Sequence, residues 1–197
     1  MLLWAGILLI AGGVLCIGFD RWSSHYLYDH VGARFWRFLD ATTHLAKASH
    51  WLVAAALAYG LAAYEGWDTM RRCAMAFVAA VAIGSVILHT IKLVLGRRRP
   101  RDDFEMGLYG FIPLAFDADY NSFPSGHALT IMCVAVTASA VWPMLAPLWF
   151  AIALWLGLTR ALLTAHYPSD VFVGAGIGLI SAREAAIYIL PHVPSWF

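Results

Sequence analysis

Apolar residues run through this chain in long blocks, and polar residues collect in the gaps between them. The blocks lie at 2–19, 50–64, 73–95, 126–143, 146–165 and 170–190. A helix needs about 20 residues to cross the hydrocarbon core of a bilayer, and about 17 at the short end. The blocks reach or approach that length, so the pattern predicts an all-α bundle of six transmembrane helices. It also predicts one domain over 1–197, with both termini on the same side. The second block is short and bounded by Glu65 and Asp68, so its start is expected to reach back toward His44. The sixth carries Arg183 and Glu184, which either snorkel or mark its end. The opening run lacks a positive flank and outlasts the usual core of a signal peptide, so a retained first helix is expected.

Two connections are long. Within 20–49, Val31, Phe35, Phe38, Leu39 and Thr42 fall on one helical stripe, with Arg34 and Arg37 beside it. That pattern fits a short interfacial helix between helices 1 and 2, and equally an amphipathic connector packed on the bundle. Residues 97–125 form the polar stretch "RRRPRDDFEMGLYGFIPLAFDADYNSFP". A connection this long without regular structure usually carries function or is disordered. With six helices, both long connections and residues 166–170 fall on one side, and the short turns at 65–72 and 144–145 on the other. The chemistry is therefore expected on the long-loop side. Arginines crowd that side too, so a raw positive-inside count turns it toward the cytoplasm. Arginines in a site are poor markers of topology, however.

Composition agrees with a membrane protein. Hydrophobic residues make up 61% of the 197 and charged residues only 13%, against about a quarter charged in ordinary soluble domains. Mean hydropathy is +0.71. A net charge of +1 with no basic tail argues against a nucleic-acid partner. Cys16, Cys73 and Cys133 lie in separate apolar blocks and read as small core residues. "GAGIG" at 174–178 lacks the spacing and the strand of a dinucleotide fingerprint. It reads instead as small residues that let helices approach closely.

Three stretches carry candidate chemistry. In "KLVLGRRRP", Lys92 sits near the end of an apolar block and Arg99 seven residues on. Gly96 is placed to break the helix, and Pro100 disfavours a helical Arg99. Lysine and arginine then converge just outside the membrane core, a combination suited to a dianion such as phosphate. In "SFPSGHALT", Ser125 is a candidate N-cap and Gly126 permits close backbone approach. A helix starting there points free N–H groups and the positive end of its dipole outward. His127, in its first turn, can give a proton to an oxygen leaving an anion held there. In "TRALLTAHYPSD", Arg160 and His166 close one apolar block, Pro168 ends its helix, and Asp170 opens the next. A carboxylate beside an imidazole can hold one ring nitrogen and leave the other as a nucleophile. Alone, this last set reads more readily as a satisfied polar pair.

Taken together, K-x6-RP, PSGH and R-x5-H-x3-D occur in this order, each at the long-loop end of an expected helix. This arrangement resembles the type-2 phosphatidic acid phosphatase superfamily, directly over Lys92–Asp170 and in helical outline over most of the chain. One position departs: Thr159 stands where the family usually has serine. The resemblance implies a phosphate clamp of Lys92, Arg99 and Arg160, with donors from Ser125 and the Gly126 amide. It implies His166 as the nucleophile that becomes phosphohistidine, Asp170 as its orienting partner, and His127 as the acid for the leaving alkoxide. It implies no metal and no cofactor, and a lipid phosphate as substrate. The short chain and the approach to the second motif look similar to bacterial lipid A 1-phosphatases and phosphatidylglycerophosphate phosphatases. Undecaprenyl pyrophosphate phosphatase and a lipid phosphotransferase remain open as alternatives. Such bacterial enzymes usually sit in the inner membrane with the site facing the periplasm, which is the expectation adopted over the charge count.

Several other residues have two readings. His89 is expected to be buried between helices rather than to relay protons. Arg97, Arg98 and Arg101 either grip a headgroup or are solvated loop charges, with Asp102, Asp103 and Glu105 as their partners. Tyr109, Phe111, Phe116 and Tyr120 either shape a lipid groove or sit as interfacial aromatics.

Overall fold

A computed structural model describes residues 1–114 and 120–197; Phe116 lies outside the described residues. The described chain is helical: α1 (Leu2–Cys16), α2 (Asp20–His30), α3 (Ala33–Thr43), α4 (Ala48–Glu65), α5 (Asp68–Leu95), α6 (Pro100–Met106), α7 (Gly126–Val141), α8 (Ala146–Leu162) and α9 (Pro168–Ile189). Four helical stretches are long and apolar enough to cross a membrane, namely Leu2–His30, Asp68–Leu95, Pro143–Leu162 and Pro168–Ile189, and Gly126–Val141 is a shorter apolar helix. The chain is therefore built as an integral membrane protein. Helices occupy all six expected places, but neither α4 nor α7 is among the four.

The first stretch differs most from expectation. It does not end at 19, because a single 3₁₀ turn over Ile17–Phe19 leads straight into α2. α2 is polar and projects beyond the apolar block, and Asp20 at its start is completely buried. A helix of about the expected position follows as α3. Its buried face is Leu39 and Thr43, while Phe35 and Phe38 are exposed and lie against Trp155 of α8. The pair Arg183 and Glu184 does not end α9: each side chain meets the other, and Arg183 Nε donates to the Phe197 carbonyl at 2.7 Å. The chain ends meet, with the Leu2 amide 3.4 Å from the Trp196 carbonyl.

α9 is the hub, packed against α1, α5 and α7. Small residues decide how closely. A Cβ at Gly174 would lie 2.3 Å from the Ser125 carbonyl oxygen, and one at Gly178 would lie 2.4 Å from that of Leu129. These two glycines, one turn apart, face α7. Gly176 lies on the other side, where its Cβ would be 2.7 Å from the Gly6 carbonyl oxygen on α1. The small-residue reading of "GAGIG" holds on both faces. The pairings fix directions as well. Gly6 meets Ile180 and Gly13 meets Val173, so α1 runs antiparallel to α9. Ser125 and Leu129 follow Gly174 and Gly178, so α7 runs parallel to α9. Cys73 lies near Thr137 and Gly84 near Leu129, so α5 runs antiparallel to α7. The C-terminus of α5, the N-termini of α7 and α9 and the α1–α2 junction therefore gather at one end of the bundle.

Gly174→Ala is expected to force α7 and α9 apart, lowering stability by about 1–3 kcal/mol as overpacking does. Gly60→Ala, at a helical glycine with open space around it, is the control and should be at least as stable as the wild type. Thermal unfolding in detergent checks both.

Candidate active site

The loop leaving α5 is fixed first. Gly96 has φ +48°, and a Cβ there would lie 2.3 Å from the Ile112 carbonyl oxygen. Only glycine suits that backbone, and the helix stops at Leu95 as the sequence suggested. Arg97 is then held between two chain segments: its amide donates to Tyr120 O and its carbonyl accepts from Ser122 N, both at 3.0 Å. Arg99 is extended, at φ −81° and ψ 157°, and caps α6, which starts on Pro100. Lys92, one turn before the break, directs Nζ to the Asn121 carbonyl.

The second stretch enters α7 with Ser125 at the N-cap. Its hydroxyl does not cap the helix, contrary to the expectation. It is buried without a hydrogen-bond partner among the described residues. Its amide instead donates to the Asp170 carbonyl at 2.9 Å, tying the start of α7 to the start of α9. In the third stretch α8 ends at Leu162, three residues earlier than the apolar block, and a turn through Thr164 at φ +50° carries the chain to His166. The amides of both Ala165 and His166 return to the Arg160 carbonyl at 3.1 Å. Tyr167 is the N-cap of α9, and its amide donates to Asp170 Oδ2 at 2.9 Å.

These turns bring the expected residues to one place. The charges of Asp170 and Arg99 act on Lys92, and Arg99 acts on Arg160. Arg160, His166, Lys47 and Arg99 all act on His127. His166 is buried, and its Nδ1 lies 3.5 Å from Asp170 Oδ2, an ion-pair contact that falls short of a hydrogen bond. Four cations, Lys92, Arg99, Arg160 and Lys47, and two imidazoles thus share one end of the bundle, with the buried Asp170 carboxylate beside His166. Arg160 Nη1 donates to Thr43 Oγ1 at 3.2 Å, while its Nε has no partner among the described residues. Arg160 Nε and Ser125 Oγ are unmet donors beside converging positive charge. Buried donors are rarely left so, and an oxyanion would satisfy both.

His166, between α8 and α9, is strongly perturbed. Its pKa is pushed down to about 4, chiefly by burial, with Asp170 pulling against that and Arg160 and Lys92 adding to it. The ring is therefore neutral at pH 7. With Nδ1 turned to Asp170, Nε2 is the nitrogen left to act as a nucleophile.

Sequence reasoning missed or misread several neighbours. Arg97 is neither a headgroup grip nor a solvated charge. It is completely buried and donates to Asp170 Oδ1 at 2.6 Å, to Asp20 Oδ2 at 2.8 Å and to Ser169 Oγ at 2.8 Å. Tyr167 and Phe111 rings lie 4.1 and 4.8 Å from its guanidinium. Tyr109 and Phe111 therefore surround Arg97, and Tyr120 takes a 2.7 Å hydrogen bond from Arg98, so these aromatics belong to the loop's own packing. Asp102 pairs with Arg98 and Arg101 as expected, but Asp103 pairs with Arg21 and His25 of α2. His89 is exposed, not buried, and bonds to the Ser85 carbonyl one turn back at 2.7 Å. Asp20 and Thr43 lie far upstream in aliphatic or mixed context, with no motif to flag them. Thr159, the departure from the family pattern, bonds to Thr43 Oγ1 at 3.0 Å and so joins α8 to α3.

The PAP2 superfamily profile matches residues 73–192, more than half of the chain and all three stretches. The chain belongs to the PAP2 superfamily. Among curated PAP2 relatives, the lipid A 1-phosphatase of Rhizobium etli is 33% identical over 143 residues, covering 72% of this chain and 60% of that protein. The lipid A 1-phosphatase of Rhizobium johnstonii is 31% identical over 128 residues, covering 60% of this chain and 52% of that protein. The chain thus spans little more than half the length of these relatives. Two crystal structures share the fold at 21% identity. Aquifex aeolicus LpxE superposes with a TM-score of 0.62 over 84% of this chain and 93% of that one. A transmembrane PAP2-type phosphatidylglycerolphosphate phosphatase from Bacillus subtilis gives 0.66 over 95% of this chain and 93% of that one.

The depressed pKa sets a pH dependence. A histidine whose folded pKa lies below its free value stays neutral as pH falls through the ordinary imidazole range, and it protonates only near the folded value. Carbethoxylation of His166, measured as the difference between wild type and His166→Ala, should stay at its plateau down to about pH 5 and decline near pH 4. A decline centred near 6.5 would contradict the geometry.

Proposed function

We propose that this protein is a membrane-embedded lipid phosphatase that removes a terminal phosphate from an amphipathic lipid through a phosphohistidine. One observation carries the reading: Lys92, Arg99 and Arg160 meet His127 and His166 at one end of an apolar bundle. Buried donors on Ser125 and Arg160 there have no protein partner among the described residues. A phosphate dianion is the small group that satisfies three cations and both donors.

The chemistry proposed follows from those positions. Lys92, Arg99, Arg160, Ser125 and the Gly126 amide hold the phosphoryl oxygens and spread their charge. His166 Nε2 attacks phosphorus, Asp170 steadies the positive ring through Nδ1, and the ester P–O bond breaks. His127 gives its proton to the departing alkoxide. It then takes a proton from water as that water attacks phosphohistidine, which releases inorganic phosphate and restores His166. No metal enters this scheme.

Lipid A 1-phosphate or phosphatidylglycerophosphate is the favoured substrate, supported by the two rhizobial relatives and by family likeness. Undecaprenyl pyrophosphate, and transfer of the phosphoryl group to another alcohol, are the alternatives. The proposed setting is the bacterial inner membrane with the site on the periplasmic face.

Purified protein given a panel of lipid phosphates in EDTA should release inorganic phosphate. His166→Ala and His127→Ala should each lose at least about 10³-fold in kcat, as removal of a nucleophile or its acid–base partner does, while still inserting in the membrane. Full activity in either variant would sink the assignment. A dephosphorylated donor without matching free phosphate would reveal a phosphotransferase instead.

A further inference from the structure

The sealed group around Arg97 is not needed to bind phosphate, yet it reaches the proposed nucleophile. Asp20 Oδ1 accepts from the Ser169 amide at 3.0 Å, and Asp20 Oδ2 accepts from Arg97 Nη2 at 2.8 Å and from the Ser169 hydroxyl. Arg97 Nη1 in turn donates to Asp170 Oδ1 at 2.6 Å. Asp170 Oδ2 accepts from Ser122 Oγ at 2.5 Å and from the Tyr167 amide at 2.9 Å, and it faces His166. Asp20, Arg97, Ser169 and Asp170 are all four buried with no solvent exposure. Asp20 lies outside the segment matched by the superfamily profile, which begins at residue 73.

We propose that Asp20, Arg97 and Ser169 are positioning residues that aim the Asp170 carboxylate at His166. The inference rests on the phosphatase reading above. Its physical content is a shared guanidinium. Arg97 divides its fork between two carboxylates, so Asp170 is held in place without being fully neutralised. Two carboxylates and one guanidinium leave one net negative charge facing the imidazole. That charge favours the positive ring formed when His166 takes up phosphorus. With Asp20 made neutral, Arg97 is left to Asp170 alone, the net charge of the group falls to zero, and the ring loses that support. The clamp of Lys92, Arg99 and Arg160 shares no hydrogen bond with Asp20, so substrate binding is left as it was.

The test uses the full-length protein in detergent, with the most active lipid phosphate from the panel. In Asp20→Asn, kcat should fall about 10- to 100-fold, the size usual when an outer partner of a working histidine is removed. KM and competitive inhibition by inorganic phosphate should stay within about twofold, and Asp20→Glu should recover part of the lost kcat. Unchanged kcat in Asp20→Asn would overturn the proposal. So would loss of phosphate inhibition in proportion to kcat, which marks general damage to the site. Should Asp20→Asn fail to accumulate, Ser169→Ala tests the positioning part: it removes the hydroxyl that bridges Arg97 and Asp20, so kcat should fall while KM and phosphate inhibition stay as in the wild type, and an unchanged kcat would overturn the proposal. A wild-type protein that releases no phosphate from any lipid defeats the functional reading itself, a result distinct from an active wild type matched by an equally active Asp20→Asn.

Discussion

A guanidinium shut away from water organises this molecule. Arg97 has no solvent exposure, and its charge is met by Asp20 from the first helix and Asp170 from the last. Burial alone would lower its pKa, but Asp170 and Asp20 outweigh that and raise it. Taking charges out of water costs several kcal/mol per ion, and the pairing compensates only when geometry is close and the remaining lone pairs are filled. The carboxylate lone pairs here accept from the Ser122 and Ser169 hydroxyls and from two backbone amides. The arrangement works only if the α1–α2 junction, the loop after α5 and the start of α9 keep their relative positions. The same contacts that hold the two Nη atoms of Arg97, whose Nε has no partner among the described residues, therefore fix where Asp170 and His166 stand.

The glycine contacts make the rest possible. α9 approaches α7 closely enough for Gly174 to lie under the Ser125 carbonyl, and the Ser125 amide then reaches the Asp170 carbonyl. A helix that approached less closely would separate the second and third motifs. On the far side of the site, Thr43 of α3 receives both Thr159 and Arg160. Support for the proposed clamp thus comes from helices on each side of the motifs, and much of it comes from the first 72 residues.

Helix positions and motif residues were legible in the sequence because both rest on local signals. Apolar block length placed the helices, and Gly96 ended α5 where expected, whereas α6, which begins on Pro100, lies in a stretch read as irregular. Lys92, Arg99, His127, Arg160, His166 and Asp170 stood out because each interrupts or ends an apolar run. The misreadings share one cause: they concern partners far apart in sequence. Nothing local tells that Arg97, amid "RRRP", turns inward while Arg101 turns out, because the distinction is made by Asp20, 77 residues away. The first helix outruns its apolar block for the same reason. Buried Asp20 is polar by composition and interior by pairing. His89 was read as buried from its apolar neighbours, but its face of α5 is the outward one, where a bond to Ser85 one turn back serves its ring. Ser125 occupies the N-cap without capping, leaving its hydroxyl for the site.

The centre that results is electrostatically incomplete. Lys92, Arg99 and Arg160 repel one another, with Asp170 and Asp40 as partial relief, and burial in apolar surroundings magnifies the repulsion. A doubly charged phosphoryl group would relieve all three at once. The most direct measurement is an experimental structure of the protein with orthovanadate. The account predicts vanadium bonded to His166 Nε2, with its oxygens within hydrogen-bond reach of Lys92, Arg99, Arg160 and the Ser125 hydroxyl, and His127 facing the opposite apex. Vanadate bound elsewhere, or at the site with His166 turned away and the cations apart, would contradict it.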